Sequence, residues 1–205
     1  MTVDEGYTKF SCDWTRRPLA EFPETAQLCR CRQSLFDAGL IGEYTDIGIG
    51  FGNISMRVGN SGNFLISGTQ TGHLDAVGPE HFALVTSADF DRNHVTCTGP
   101  VQASSESMTH AALYETDQSI RAVAHVHNDH LWRTLKDHIP TTSDDIAYGT
   151  PEMAREFARI YRDSDLRHSG IAVMGGHDAG LISIGSSVDE ATARILALLR
   201  KHTAA

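Results

Sequence analysis

Three histidines fall within the nine residues "AVAHVHNDH" (122–130): His125, His127 and His130. On a β-strand, residues two apart project from the same face, so His125 and His127 present two imidazoles side by side. An H-x-H pair of this kind suits zinc or iron, which take imidazole nitrogen readily. The spacing fits equally well a pair of hydrogen-bonded histidines closing a buried strand. His130 falls off that face and reads as a supporting or structural residue. Two further groups are placed to complete a site. His177 lies in "MGGHDAG" (174–180), a glycine-rich turn in which backbone approaches closely and an imidazole can point inward. Glu106 follows Ser104 and Ser105 at the start of a helical stretch, where the helix dipole favours a carboxylate with or without a metal. Three histidines and one carboxylate make a reasonable set for zinc or another divalent ion. His110, four residues beyond Glu106, is spaced either to orient that carboxylate or to form an ordinary i,i+4 pair.

The elements that must position these groups are visible in the hydropathy pattern. Residues 23–40 predict a helix, with Leu28, Leu35 and Phe36 at helical spacing, Pro23 in the first turn and Gly39 at the C-terminal cap. "GNISMRV" and "NFLIS" read as strands around the turn "GNSGN", and "HFALVTS" and "HVTCTG" as two more. "ASSESMTHAALYE" changes to helical period, and "IRAVAHVH" returns to a strand. A second helix follows in "GTPEMAREFARIYRD", with Thr150 as N-cap, Pro151 at the first helical position, and Met153, Phe157 and Ile160 on one face. "GIAVMGGHDAGLISIG" reads as strand, turn and strand. The last helix, "SSVDEATARILALLRK", opens with Ser187 and Glu190 spaced as a capping box and buries Ala191, Ile195, Leu198 and Leu199. Strands interleaved with helices predict a layered α/β domain, although the pattern does not contain the strand order. Residues 1–22 read as an irregular N-terminal extension anchored by Phe10 and Trp14, and residues 23–205 as the domain.

Composition bounds the function. The chain has 205 residues, 40% hydrophobic and 21% charged, enough for one domain with a sizeable core. A net charge of −9 without a long basic run argues against nucleic acid or an anionic membrane as the main partner. It is compatible with a small anionic substrate held by local dipoles. Four cysteines (Cys12, Cys29, Cys31, Cys97) without a secretory leader read as reduced thiols in the cytoplasm. Cys29 and Cys31 lack the second pair that a paired zinc motif brings. No apolar run approaches the ~20 residues that span a bilayer.

Taken in order, "GNIS" (52–55), "LISGT" (65–69), "SSESMTHAALY" (104–114), "AVAHVH" (122–127), "YGTPEMA" (148–154) and "MGGHDAGLISIG" (174–185) resemble the class II aldolase/adducin family, which includes the fuculose- and ribulose-phosphate aldolases. The resemblance covers roughly residues 25–200. It implies a three-layer α/β/α domain around a central, largely antiparallel sheet, assembled as a homotetramer with sites between subunits. By position, His125, His127 and His177 match the family's metal-ligating histidines. Glu106 matches the carboxylate that binds zinc in the resting site and serves as base. Asn53, Thr69, Ser104 and Ser105 match positions that hold the substrate phosphate. The implied activity is a zinc-dependent lyase of the aldolase type, acting on a small hydroxy-carbonyl compound through a metal-stabilised enediolate. The N–H groups opening the 104–114 helix, with two hydroxyls beside them, would form an anion site needing no lysine.

Some positions depart from the family. In "SGTQTG" (67–72) Thr69 is kept, but Gln70 stands where a glycine closes on phosphate, unless Gly72 serves through a shifted loop. The stretch from Pro140 to Tyr148 is short and has no match to the tyrosine that donates a proton. Tyr148 is the nearest substitute, with packing before the "GTPEM" helix as its competing role, and Trp132 reads as core. The same ligands would also serve a decarboxylase or an epimerase, and a non-catalytic adducin-like scaffold is the alternative from another class. A cupin-type site is disfavoured, because "NDHLW" puts no glutamate a few residues after the second histidine.

Overall fold

In the computed structural model, which describes residues 7–203, the chain runs in the following order. It begins β1 (Ser11–Arg16), α1 (Thr25–Asp37), β2 (Gly42–Tyr44), β3 (Ile49–Phe51), β4 (Asn53–Arg57) and β5 (Phe64–Ser67). After a 3-10 turn at Pro79–His81 come β6 (Phe82–Asp89), β7 (His94–Gly99), α2 (Ser107–Thr116), β8 (Ala122–His127) and α3 (Asp129–Leu135). It closes with α4 (Pro151–Asp163), α5 (Leu166–Ser169), β9 (Ile171–Val173), β10 (Gly180–Gly185) and α6 (Val188–Thr203). Eight strands form one sheet in the order β1-β7-β6-β5-β4-β8-β10-β9, and β2 with β3 makes a separate hairpin. Among the strands of this sheet in the described residues, β1 and β7 pair in parallel and the other neighbours are antiparallel.

Strand alternation explains the layering. Phe64, Ile66, Val85, Val123, Ile182 and Ile184 pack on one face with Met108, Leu113 and Phe157 from α2 and α4. Leu65, Ile54, Ala122, Ala124, Val126 and Leu181 pack on the other with Leu28 and Leu35 of α1 and Ile195 of α6. Neighbouring residues of one strand thus enter two separate cores, as a sheet covered on both sides requires. His125 and His127 share the parity of Val123, which puts them on the α2–α4 side.

Local signals account for the helix ends. Thr150 accepts a hydrogen bond from the Met153 N–H at 3.2 Å, and Pro151 occupies the first position of α4. At α6 the Ser187 hydroxyl accepts from the Glu190 N–H, but the Glu190 carboxylate reaches back to the N–H of Ser186, one residue further than the capping box predicts. Gly39 (φ 68°) turns the chain out of α1 in the left-handed conformation expected of a C-terminal cap.

The irregular reading of residues 1–22 is corrected over 11–16; residues 1–6 lie outside the described part. β1 is an edge strand whose side chains are nearly all exposed, so "SCDWTR" carries no inward–outward alternation to read. Phe10 is buried in the α2–α4 core as an anchor should be. Trp14 is 37% exposed and holds by its indole N–H, which donates to the Gly99 carbonyl at 3.0 Å. All four cysteines are free, with Cys12 Sγ and Cys97 Sγ 3.5 Å apart across β1 and β7. No helix among the described residues is long and apolar enough to cross a membrane.

Candidate metal centre and its pocket

β8 runs between β4 and β10, and its C-terminal end carries the histidines. His125 is paired with Asn53 on one side and Ile182 on the other, and His127 with Gly180. His177 arrives from the turn between β9 and β10, closed by the Gly180 N–H donating to the His177 carbonyl at 2.9 Å. A side chain at Gly180 would meet the His177 ring at 2.6 Å, so this glycine lets the imidazole lie against the strand.

The three Nε2 atoms converge: His127 to His125 is 2.9 Å, His127 to His177 is 3.1 Å, and His177 to His125 is 3.3 Å. Nitrogens about 2.0–2.1 Å from a tetrahedral zinc stand roughly 3.3 Å apart, so the trio is close to the spacing an ion requires. The His125 Nδ1 donates to the Leu181 carbonyl at 3.2 Å, which leaves its Nε2 lone pair facing the centre. His127 Nδ1 meets the Tyr44 hydroxyl at 2.9 Å. Burial drives the pKa of His125 down to about 4, and those of His127 and His177 well below the ordinary histidine value. The imidazoles are therefore neutral at pH 7, the form that binds a cation. Among the described residues, this trio is the group placed to hold a metal ion.

Glu106 stands beside it at the N-terminal end of α2, without a side-chain capping bond. Its Oε2 accepts from the Thr109 hydroxyl at 2.8 Å, while its Oε1 is buried without a hydrogen-bond partner and 4.0 Å from His177 Nε2. Burial raises its pKa to about 7, against the opposing pull of the Thr109 hydroxyl. An orphaned acceptor of this kind beside three nitrogen donors is what a cation would satisfy.

The residues matched to substrate binding come together in one pocket, whose wall includes Asn53, Thr69, Ser104, Ser105, Glu106 and His125. The pattern of donors differs from the expectation. The helix begins at Ser107, and three N–H groups at or just before its start have internal acceptors: Ser104 donates to the Ser67 carbonyl, Glu106 to the Ser104 hydroxyl, and Ser107 to the Ser104 carbonyl. The Thr69 N–H donates to the Gln102 carbonyl at 2.9 Å. Gln70 takes up the glycine-like conformation itself, at φ 56°. Gly72 serves packing instead, because a side chain there would run into the Gly42 carbonyl oxygen. Arg32 holds this loop from behind. It is 2% exposed and donates to the carbonyls of Leu74 (2.6 Å), Thr71 (3.0 Å) and Gly72 (2.9 Å).

His130 stays exposed on α3, away from the trio. The His110 N–H donates to the Glu106 carbonyl at 3.1 Å, but its ring turns to the Ser55 hydroxyl (Nδ1, 2.6 Å), and Thr109 is the residue that orients the carboxylate. Cys31 donates to Asp189 Oδ1 at 3.2 Å between α1 and α6. Tyr148 packs before α4 and also lies on the His177 ring, with centroids 4.4 Å apart. Sequence reasoning missed Tyr44, Phe51 (stacked on His127 at 5.4 Å), Thr109 and Arg32. The Thr109 contact had a signal, since it is three residues from Glu106 on one helix. Arg32 had none, because its partners are backbone carbonyls some 40 residues away.

A search of curated proteins finds no match. Among solved structures, L-fuculose 1-phosphate aldolase shares 16% identity, with 89% of each chain covered and a TM-score of 0.61. The sugar-phosphate aldolase of Thermotoga maritima shares 17%, covering 84% of this chain and 88% of its own, at a TM-score of 0.62. YgbL of Escherichia coli, described with the alternatives aldolase/epimerase/decarboxylase, shares 17%, covering 85% and 84%, at 0.64. At these identities the likeness is one of fold. The sequence model of the family itself matches residues 26–201, and on that match the chain belongs to the Class II Aldolase and Adducin N-terminal domain family.

Proposed function

We propose that this protein is a metal-dependent lyase of the aldolase type, making or breaking a C–C bond in a small hydroxy-carbonyl compound. The observation that carries the reading is the convergence of three neutral imidazole nitrogens beside an unpartnered buried carboxylate oxygen at the wall of a pocket. Zinc suits three imidazoles with a carboxylate or open fourth position, and other divalent ions accept the same donors. Bound there, the ion would supply a Lewis acid for the substrate carbonyl.

The chain's own residues do the rest. Glu106, a buried carboxylate whose Oε1 has no protein partner, is the group placed to take and return a proton as general base. Thr109 holds Oε2, so Oε1 is the oxygen that faces the substrate. Asn53, Thr69, Ser104 and Ser105 orient the polar groups of the substrate from the pocket wall. Phe51 and Tyr148 cover the His127 and His177 rings and keep water from the nitrogens. A homotetramer and a cytoplasmic location belong to the same proposal, and light scattering reads the first directly.

The test is a screen of hydroxy-carbonyl compounds, with and without phosphate, against protein loaded with zinc, manganese or cobalt. Glu106→Gln should lower kcat by about 10²–10⁴-fold with the fold unchanged. Equal turnover would remove Glu106 from the mechanism. Release of CO2 or inversion at a carbon centre would assign decarboxylase or epimerase chemistry to the same residues. Wild-type protein that stays empty in excess zinc sinks the reading.

A further inference from the structure

We infer that Tyr44 is the positioning residue of His127: its hydroxyl holds the ring by Nδ1 and so aims Nε2 at the metal. The inference rests on the metal-site reading above. His127 Nδ1 stands 2.9 Å from the Tyr44 hydroxyl, while its Nε2 faces the nitrogens of His125 and His177. A neutral imidazole carries one ring proton. When Nε2 offers its lone pair to a cation, that proton is on Nδ1, so Nδ1–H donates and the Tyr44 oxygen accepts. The arrangement parallels that of His125, whose Nδ1 donates to the Leu181 carbonyl. One proposed ligand is thus held by the backbone of its own sheet, the other by a side chain from outside it.

Strand register explains why an outside residue does this. His125 has β4 on one side and β10 on the other, but β4 starts at Asn53, opposite His125, and ends short of His127. The chain leading into the β2–β3 hairpin fills the gap. The His127 N–H donates to the Leu40 carbonyl at 3.0 Å, and Tyr44, four residues further on, reaches the ring. Gly52 permits this approach, because a side chain there would meet the Leu40 carbonyl oxygen at 3.0 Å and Ile41 Cγ1 at 2.9 Å.

The hairpin itself is fixed in place. The Tyr44 and Phe51 rings lie 4.6 Å apart, and Phe51 stacks on His127. Gly42 leaves room for the Phe51 ring, which a side chain there would meet at 2.9 Å. Ile49, Gly50 and Phe51 form part of the pocket wall, so the element that aims His127 also shapes the space in front of it. A hydrogen bond to the second nitrogen of a ligating imidazole fixes ring orientation and tautomer, and its loss costs about 10- to 100-fold in metal affinity.

The experiment measures zinc affinity by competition with a chelator, for the wild type, Tyr44→Phe and Tyr44→Leu, together with the visible spectrum of each protein loaded with cobalt. Tyr44→Phe keeps the ring against Phe51 and loses only the hydroxyl. It should bind zinc about 10- to 100-fold more weakly than the wild type, and its cobalt bands should move, because they report how the ligands are oriented. Tyr44→Leu should lose at least as much. Wild-type zinc affinity in Tyr44→Phe overturns the assignment, and a loss confined to Tyr44→Leu does so by giving the effect to ring packing. Unmoved cobalt bands in Tyr44→Phe overturn it as well, whatever the zinc affinity. In all three cases the metal site stands. Wild-type protein that takes up neither metal overturns the metal reading and the Tyr44 assignment with it.

Discussion

The two ends of the pocket are built by different means. At the end with the candidate metal centre, called the metal end below, two histidines stand on a central strand and a third comes from the turn feeding its neighbour, so strand register places the proposed ligands. At the loop end, residues 68–72 are placed by contacts from afar: Arg32 behind the carbonyls, Gly72 against the Gly42 carbonyl, and a left-handed Gln70. The first arrangement needs only side-chain alternation and a few short-range signals. The second needs the finished fold. A pocket built this way can keep its chemistry while its loop varies, which is how one fold serves several substrates.

The largest effect expected is at the metal end. His127→Ala removes the imidazole whose Nε2 lies within hydrogen-bonding distance of both others. Metal content measured on purified protein should drop from near one ion per chain to near zero. Full retention would mean that the strand-built trio is not the site. At the loop end the corresponding change is Arg32→Met, which fills the space but leaves two buried carbonyls and one half-buried one without their donor. Each buried orphaned acceptor costs about 1–3 kcal/mol, so the two buried ones set an expected loss of about 2–6 kcal/mol in urea titration. Metal content should stay the same. If it falls as well, the two ends are one cooperative unit and the contrast between them fails.

A pH experiment sharpens the picture of the metal end. Burial holds the Glu106 carboxyl at about 7 rather than 4.5, so its contribution to stability is fully present below pH 4.5 and is lost as pH rises to about 7. The buried histidines act oppositely. Neutral in the folded protein, they stabilise it above about pH 6.5 and weaken it as the pH falls. Comparison of metal-free wild type with Glu106→Gln cancels the histidines. The stability difference should shift against the wild type by at most about 3 kcal/mol between pH 4.5 and 7 and then level off. A flat difference would mean that Glu106 is hydrated in the metal-free protein.

What the sequence revealed follows the same division. β8 declared itself by alternation, and its period of two put His125 and His127 on one face before any fold was known. The α4 helix announced both its cap and its buried stripe. β1 did not, because an exposed edge strand has no apolar side. β2 and β3, at three residues each, are too short for a period, so Tyr44 and Phe51 escaped notice although both contact His127. The seven-residue helix α3 was also overlooked, although Asn128 caps it by accepting from the Leu131 N–H. The helix-opening N–H groups differ from expectation for another reason: those of Ser104, Glu106 and Ser107 already have hydroxyl or carbonyl acceptors, and composition cannot show that competition.

The smallest effect expected is the most informative about the loop end. Gln70 sits at φ 56°, where a side chain costs about 1–2 kcal/mol and glycine nothing. Gln70→Gly removes that strain, while the unfolded chain gains freedom that offsets part of it. A net gain of about 0.5–1 kcal/mol in urea titration is expected, with affinity for a bound anion changed by less than about twofold. That result would show a loop whose shape is imposed by Arg32 and Gly72, the Gln70 side chain being carried at a cost. A loss of stability would show that the side chain is a working part of the pocket. The loop end would then be built as the metal end is, from side chains aimed at a ligand.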